Sequence, residues 1–347
     1  MNILYLGNSD LPSTCYHRAK ALERLGHQVM LEDPYMAVIN TSLEDKIHFR
    51  TGYFLLQGRI NRWLKKRIPQ LASMPDLIWI NGGELFGPKA MQYLRTLNVP
   101  VVLYNNDDPT GGRDGRRFAM LMKSIPQYDL CTVMREINVQ EYKDQGAKKV
   151  LKVTMSYDEA VHKPLTDLSL IPADFRSDVA FIGTWMRHEK RDEFLLKLIE
   201  KGIPISIWGN RWSKSPHWPR LEPYYRGGAL GGESYVSAIQ GSKICIGMLS
   251  KGNRDEHTQR SLEIPYIGAL FCAERTPEHL AMYEEGRDAV FWDNADECAQ
   301  ICADLLQDDS KREQIRLNGM KRVRDNKVGN EDICRKVLQE LAIAQPI

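Results

Sequence analysis

The sequence predicts two α/β units, each built on a parallel sheet. Three observations carry that reading. Short apolar runs of strand length alternate with amphipathic stretches of helix length. The chain opens as strand, helix, strand: Met1 to Gly7, then about Cys15 to Leu25 with a stop at Gly26, then a strand beginning near His27. The same order of strand, glycine loop and helix restarts at Asp178. At 347 residues the chain also exceeds what one core ordinarily supports, so two domains are the better division.

Composition narrows the function classes. The formal net charge is +2, so no global basic field calls for a nucleic-acid partner. No apolar run reaches bilayer length. The N-terminus enters a strand directly, without the charged region and cleavage site of a secretory signal. Seven scattered cysteines, none in a C-x-x-C pair, suit reduced and buried thiols. A cytoplasmic protein is expected. Cys298 and Cys302 share a helix face but have no histidine nearby in sequence, so no metal site is expected there.

In the first domain, residues 1–160, the loop after the first strand carries Asn8, Ser9, Asp10 and Ser13, with His17 and Arg18 opening the helix. That loop lies at the sheet edge where α/β folds bind ligands, but it lacks the G-x-G-x-x-G dinucleotide fingerprint. Residues 59–68 form a basic amphipathic helix with Ile60, Trp63, Leu64 and Ile68 on one face. Such a helix suits either a surface packed on a sheet or peripheral contact with an anionic membrane. Two buried strands follow, Asp76 to Glu84 and Val99 to Pro109. Each leaves polar groups at its C-terminal end: Glu84 on one, and Asn105, Asn106, Asp107 and Asp108 on the other. Two acids and two amides exceed what a turn before Pro109 requires. Strands at 128–134 and 148–155 bring the count to five or six. Residues 161–177, within an aperiodic stretch holding two prolines, read as a linker.

The second domain spans 178–330. Its first loop offers Gly183 and Thr184, then Arg187, Lys190 and Arg191 at a predicted helix start. A cationic helix start opposes the helix dipole unless an anion sits there, which points to a phosphate. A strand ending at Gly209 is followed by a glycine-rich loop, a helix and a strand through Ile244 and Ile246. The stretch Asp255 to Cys272 reads as a short helix, capped by Asp255, Glu256 or Thr258, then a strand entered through Gly268. On that helix His257, Arg260 and Glu263 share a face. The first two suit a phosphate, and the carboxylate suits a sugar diol. Pro265 should kink or end the helix. A last strand at Val290 to Trp292 precedes three helices, the final one from Glu331 to Ala344.

Several of these stretches resemble one family. F-I-G-T-W-M-R-H-E-K-R from Phe181, W-G-N-R-W from Trp208, S-Y-V-S-A-I-Q-G-S-K-I-C-I-G from Ser234, H-T-Q-R-S-L-E-I-P-Y-I-G-A-L-F-C-A-E from His257 and E-G-R-D-A-V-F-W from Glu285 are similar to the C-terminal domain of CgeB-like (spore maturation protein-like) glycosyltransferases. Y-H-R-A-K-A-L-E-R-L-G-H-Q-V and Y-N-N-D-D-P resemble their N-terminal half. The resemblance implies a GT-B fold: two Rossmann-like domains facing across a cleft, the first on the acceptor side, the second holding a nucleotide-sugar donor. The segment 331–347 would pack back on the first. Glu263 would bind the donor ribose, and Arg187 and Arg260 would neutralise the diphosphate. Gly183, Thr184, Lys190, Gly209 and His257 would complete the donor site. Asp255 stands eight residues before Glu263, near where related retaining enzymes carry a first acid.

The implied reaction moves a sugar from a nucleoside diphosphate to a hydroxyl of a glycan, glycoconjugate or protein, with no cofactor and no metal. Cations must then stabilise the departing diphosphate. An inverting enzyme needs a general base; Asp107 or Asp108 comes first, with Glu84, Asp10 and His17 behind. Asn8, Asp10 and Arg18 would line the acceptor side. The rival readings are a GT-B-like sugar-nucleotide epimerase and a non-catalytic nucleotide-sugar-binding protein of glycan assembly.

Overall fold

A computed structural model describes residues 1–341 and resolves two compact units. The first comprises Met1–Thr154, Gly252–Arg254 and the chain from Asn330 onward; the second comprises Met155–Lys251 and Asp255–Gly329.

The first unit is a six-stranded sheet in the order β2-β1-β3-β4-β5-β6, every pairing parallel. Its strands are β1 (Asn2–Leu6), β2 (Gln28–Glu32), β3 (Leu77–Asn81), β4 (Val101–Tyr104), β5 (Leu130–Val133) and β6 (Val150–Lys152). Sheets covered on both faces need apolar side chains at successive positions rather than alternate ones. Ile3 to Leu6, Leu77 to Ile80 and Val101 to Tyr104 meet that condition, all fully buried. The helix Thr14–Arg24 starts where the Ser13 hydroxyl accepts the Tyr16 amide at 3.0 Å, and the chain turns at Gly26 with φ +85°. The helix Asn330–Glu340 packs on Thr14–Arg24, with an Arg24–Glu331 ion pair at 2.7 Å. The sequence-predicted end of that helix, at 342–344, lies outside the described residues.

The second unit repeats the plan in the order β12-β11-β10-β7-β8-β9, again all parallel. Its strands are β7 (Ser177–Ile182), β8 (Ile205–Trp208), β9 (Tyr225–Gly227), β10 (Ser242–Gly247), β11 (Leu270–Glu274) and β12 (Val290–Trp292). The edge strand β9 falls in a stretch the sequence reads only as a glycine-rich loop; three residues are too few to show a period. In each unit the chain runs outward on one side of its first strand and then crosses back. The switch points therefore lie between β1 and β3, and between β7 and β10, where open α/β sheets bind ligands.

Two predicted helix starts move. The helix after β7 begins at Arg191, not near Arg187. The helix before β11 spans Arg260–Ile267, so Asp255 and His257 precede it and His257 does not share its face.

Candidate functional site

In the second unit a pocket of about 220 Å³ opens at the β7/β10 switch point. Gly183, Thr184, Met186 and Arg191 line it from the loop after β7, Met248 and Ser250 from beyond β10, and Thr258 and Arg260 from the start of the Arg260–Ile267 helix. The loop is fixed from behind. Gly183 O accepts the Trp212 indole N–H at 2.9 Å, and Thr184 O accepts Arg191 Nη1 at 2.9 Å. Gly209, at φ +137°, passes so close that a Cβ there would lie 2.1 Å from Gly183 O, which only glycine permits. Arg191 is buried and also donates from Nη2 to Leu249 O at 2.9 Å, tying the β7 loop to the segment after β10. Arg260 anchors Nε on Ile182 O at 2.5 Å while forming part of the wall. Two guanidiniums, a glycine loop and a helix N-terminus around one pocket suit a diphosphate.

The other donor-side residues lie elsewhere. Arg187 and Lys190 are exposed on the outer part of the loop; Lys190 has φ +52°, with Nζ 3.9 Å from Glu193. The helix that follows has its own acids in the first turn, Asp192 and Glu193, and these answer its dipole. The helix start is therefore not the purely basic one that the sequence predicts, and its dipole alone does not call for an anion. His257 has both ring nitrogens engaged: Nε2 accepts the Met155 amide at 2.9 Å and Nδ1 pairs with Glu278. Glu263 is buried, its Oε2 accepting the Tyr235 hydroxyl at 2.5 Å and its Oε1 3.7 Å from His162 Nε2. Asp255 is buried.

In the first unit, acids gather where β3 and β4 end. Glu84 is 1% exposed and its Oε1 accepts Arg117 Nε at 3.1 Å and Nη2 at 2.5 Å. Arg117 also pairs through Nη1 with Asp107 at 3.0 Å and Asp114 at 3.3 Å. Three carboxylates thus share one guanidinium. Burial raises the Asp107 carboxyl above its usual range; Arg117 opposes this, and Glu84 and Asp114 add to it. Asp108 is the reverse case. Burial alone would raise it, but hydrogen bonds from Arg254 and Asn138 prevail and hold it low. Arg254 grips both of its oxygens, Nε to Oδ2 at 2.6 Å and Nη2 to Oδ1 at 2.7 Å, and pairs with Glu141 at 2.9 Å. Of the two adjacent acids, Asp107 is therefore the more basic, and Asp108 is held ionised by its hydrogen bonds.

The candidates of the loop after β1 and of the helix it enters lie at different depths. Arg18 is 1% exposed, stacked 3.7 Å over the Tyr104 ring and donating to Asn81 Oδ1 at 2.7 Å. His17 is also buried. Asn8 Oδ1 accepts the Asp10 amide at 2.6 Å, and Asp10 is exposed. Sequence reasoning missed Arg117, Arg254, Tyr235 and His162. The signal for Arg117 was present: a run of arginines at 113, 116 and 117 directly follows the acidic strand end.

Cys272, Cys298 and Cys302 have sulfurs within 4.8 Å of one another, the one such metal-spaced grouping among the described residues. All three are fully buried in the apolar core of the second unit, where they pack as small hydrophobes.

Comparisons with known proteins agree with the fold. Residues 187–334 match the family model described as "Glycosyl transferase-like". No curated protein matches the chain. Among solved structures, sucrose-phosphate synthase from Thermosynechococcus elongatus is 12% identical, over 99% of this chain and 100% of that one, with a TM-score of 0.72. HepE from Anabaena, in complex with UDP, is 12% identical over 99% of this chain and 100% of that one, with a TM-score of 0.67. A UDP-forming α,α-trehalose-phosphate synthase from Burkholderia vietnamiensis is 12% identical over 99% of each chain, with a TM-score of 0.63. The chain therefore has the GT-B fold, and its segment 187–334 is glycosyltransferase-like in sequence.

Proposed function

We propose that the protein is a glycosyltransferase moving a sugar from a nucleoside-diphosphate sugar, of the UDP-glucose type, to an acceptor hydroxyl on a glycan, glycoconjugate or protein. The observation that carries this reading is the switch-point pocket walled by Gly183, Thr184, Arg191 and Arg260. HepE has been solved with UDP-glucose, and a related trehalose-phosphate synthase with glucose 6-phosphate. These support a uridine donor and a sugar-like acceptor. The narrower CgeB-like likeness rests on the sequence motifs alone.

In this reading the acceptor oxygen forms a bond to the anomeric carbon as the bond from that carbon to the diphosphate breaks. Asp107, with its raised basicity, takes the hydroxyl proton. Arg260 and Arg191 hold the charge that builds on the departing diphosphate, a role that fixed cations fill without a metal. Glu263, steadied by Tyr235, is the ribose ligand. The seven free, buried cysteines support a reducing, cytoplasmic setting.

Incubation with a panel of nucleotide sugars tests the proposal. Free UDP should appear in step with a glycosylated product, and UDP should raise the melting temperature. Arg260→Ala should lose roughly tenfold or more in UDP affinity, as expected for a charge-assisted contact. No stabilisation by any nucleotide and no released diphosphate would reject it. Release of free sugar without an acceptor product would favour the epimerase reading.

A further inference from the structure

Charge and apolar surface are concentrated in one part of the first unit. Of the large hydrophobic side chains left exposed, five fall within residues 36–55: Met36, Leu43, Ile47, Phe54 and Leu55. Phe54 and Leu55 are 63% and 62% exposed. Residues 34–75 also hold seven lysines and arginines against two acids, a net +5, whereas the whole chain sums to +2 and the remainder therefore to −3. The two acids are occupied: Glu44 pairs with Arg59, and Asp45 accepts the Tyr53 hydroxyl at 3.3 Å. Lys46, Arg50, Arg62, Lys65 and Lys66 are exposed.

The helices that carry these residues are tied together. Arg59 donates to Val38 O at 3.2 Å as well as pairing with Glu44, which ties together the helices Pro34–Val38, Ser42–Thr51 and Gln57–Arg67. The apolar stripe of Gln57–Arg67 is already used, with Ile60 and Leu64 fully buried in the core. That helix is a cationic shelf, and the free apolar groups come from the segment before it. Their presentation is rigid. A Cβ on Gly52, at φ +68°, would lie 2.4 Å from Arg116 O, so the turn is pressed onto the unit. Tyr53 adopts φ +57° with its side chain 2% exposed, and Leu56 is likewise buried. A buried aromatic in the left-handed region is a strained arrangement of the sort found at functional surfaces. Here it turns Phe54 and Leu55 outward.

We propose that this face seats the protein on an anionic membrane surface. Phe54 and Leu55, together with the exposed Leu43 and Ile47 of the Ser42–Thr51 helix, form an apolar wedge at the headgroup boundary, and the five exposed cations meet lipid phosphates. A basic rim around an apolar wedge complements an anionic interface on both counts. The inference stands apart from the transferase reading, because it concerns binding alone.

Vesicle flotation tests it on the full chain, with phosphatidylcholine alone and with phosphatidylcholine mixed with phosphatidylglycerol. The protein should float only with the anionic vesicles, and high salt should release it. Each basic residue near such a surface contributes roughly fivefold in binding. Arg62→Glu/Lys65→Glu should thus weaken binding by more than about 25-fold. Phe54→Ser/Leu55→Ser should weaken it at unchanged charge. Both pairs are exposed, so melting temperatures should match the parent. Absence of flotation with either vesicle overturns the proposal, as does binding that neither double variant weakens. Light scattering that shows a dimer dissolved by Phe54→Ser/Leu55→Ser, with no vesicle binding, also overturns it and makes the face a self-association surface.

Discussion

Asp107 and Asp108 are neighbours in sequence with opposite electrostatic fates. Asp107 shares Arg117 with Glu84 and Asp114, so that cation is divided among three acids. Asp108 holds the Arg254 guanidinium with both oxygens, although that fork also reaches Glu141, and it has further hydrogen bonds from Asn138 at 2.9 Å and the Gly111 amide at 3.1 Å. Asp107→Asn should therefore lower transfer on the order of 10²–10⁴-fold with little change in melting temperature. Asp108→Asn should instead cost roughly 2–3 kcal/mol of stability, because a buried charge-assisted network loses its acceptor. Steady-state rates and urea unfolding of the two variants separate these outcomes; the reverse pattern would exchange the roles. The acids themselves were legible from the sequence as a polar strand end. Their difference was not, since Arg254 lies 146 residues from Asp108. A second residue-scale consequence concerns His279, 1% exposed, with Nδ1 to Glu274 O at 2.7 Å and Nε2 to the Ser261 hydroxyl at 2.8 Å. Burial lowers its pKa to about 4 from an unfolded value of 6.5. Above pH 6.5 both states are neutral and the contribution is complete; as pH falls from 6.5 toward 4 only the unfolded chain takes up the proton, and stability declines. The loss should approach about 3 kcal/mol. His279→Gln should flatten that part of the stability–pH curve, and parallel curves for the two proteins would refute the assignment.

At the scale of elements, the helix Arg260–Ile267 repays close attention because it contains Pro265. Proline at this position removes the amide that would bond to Ser261 O, four residues earlier. That carbonyl is instead taken by the Tyr283 hydroxyl at 2.7 Å, and Tyr283 is 1% exposed. The helix survives two residues beyond the proline and stops at Gly268, φ +115°. Tyr283→Phe should cost about 1–3 kcal/mol, the penalty for stranding a buried carbonyl. In a Pro265→Ala background the restored amide supplies a partner, so the same change should cost measurably less. A double-mutant cycle by chemical denaturation checks this, and additive effects would remove the link. The stop at Gly268 and the presence of a helix were legible from local residues. The start was not. Residues 255–259 carry good capping types, but Asp255 is buried and His257 is held by tertiary bonds, and long-range contacts override local preference there. The helix after β7 fails in the same manner: Arg187 to Lys190 have helix-forming side chains, yet the indole of Trp185 and Ser215 claim Asp192 and fix the helix start beyond them.

At the scale of the whole molecule, the two parallel sheets follow from the apolar runs, because a strand buried on both faces leaves a plain mark in sequence. The discontinuity of the first unit leaves no such mark. Its core is completed by the chain from Asn330, whose Ile333, Cys334, Val337 and Leu338 are all at most 3% exposed. An amphipathic helix shows which face is apolar but not which partner covers it. The sequence could suggest a return only through the family resemblance, whereas the structure gives it a physical basis: the apolar face lies against Thr14–Arg24, and Arg24 pairs with Glu331. That basis makes a definite forecast for a chain ended after Gly329. Burial of three aliphatic side chains contributes on the order of 5 kcal/mol, taken at about 1.5–3 kcal/mol each and discounted for a compact unfolded state. Such a loss rivals the whole stability of an ordinary domain. Calorimetry of the shortened chain should show the first unit melting well below its position in the full chain, with exposed apolar surface detectable by dye binding. The second unit, whose described residues end at Gly329, should keep its own transition and its nucleotide-induced stabilisation. Equal downward shifts in every transition would mean that the terminal helix supports both units, contrary to the packing that places it with the first.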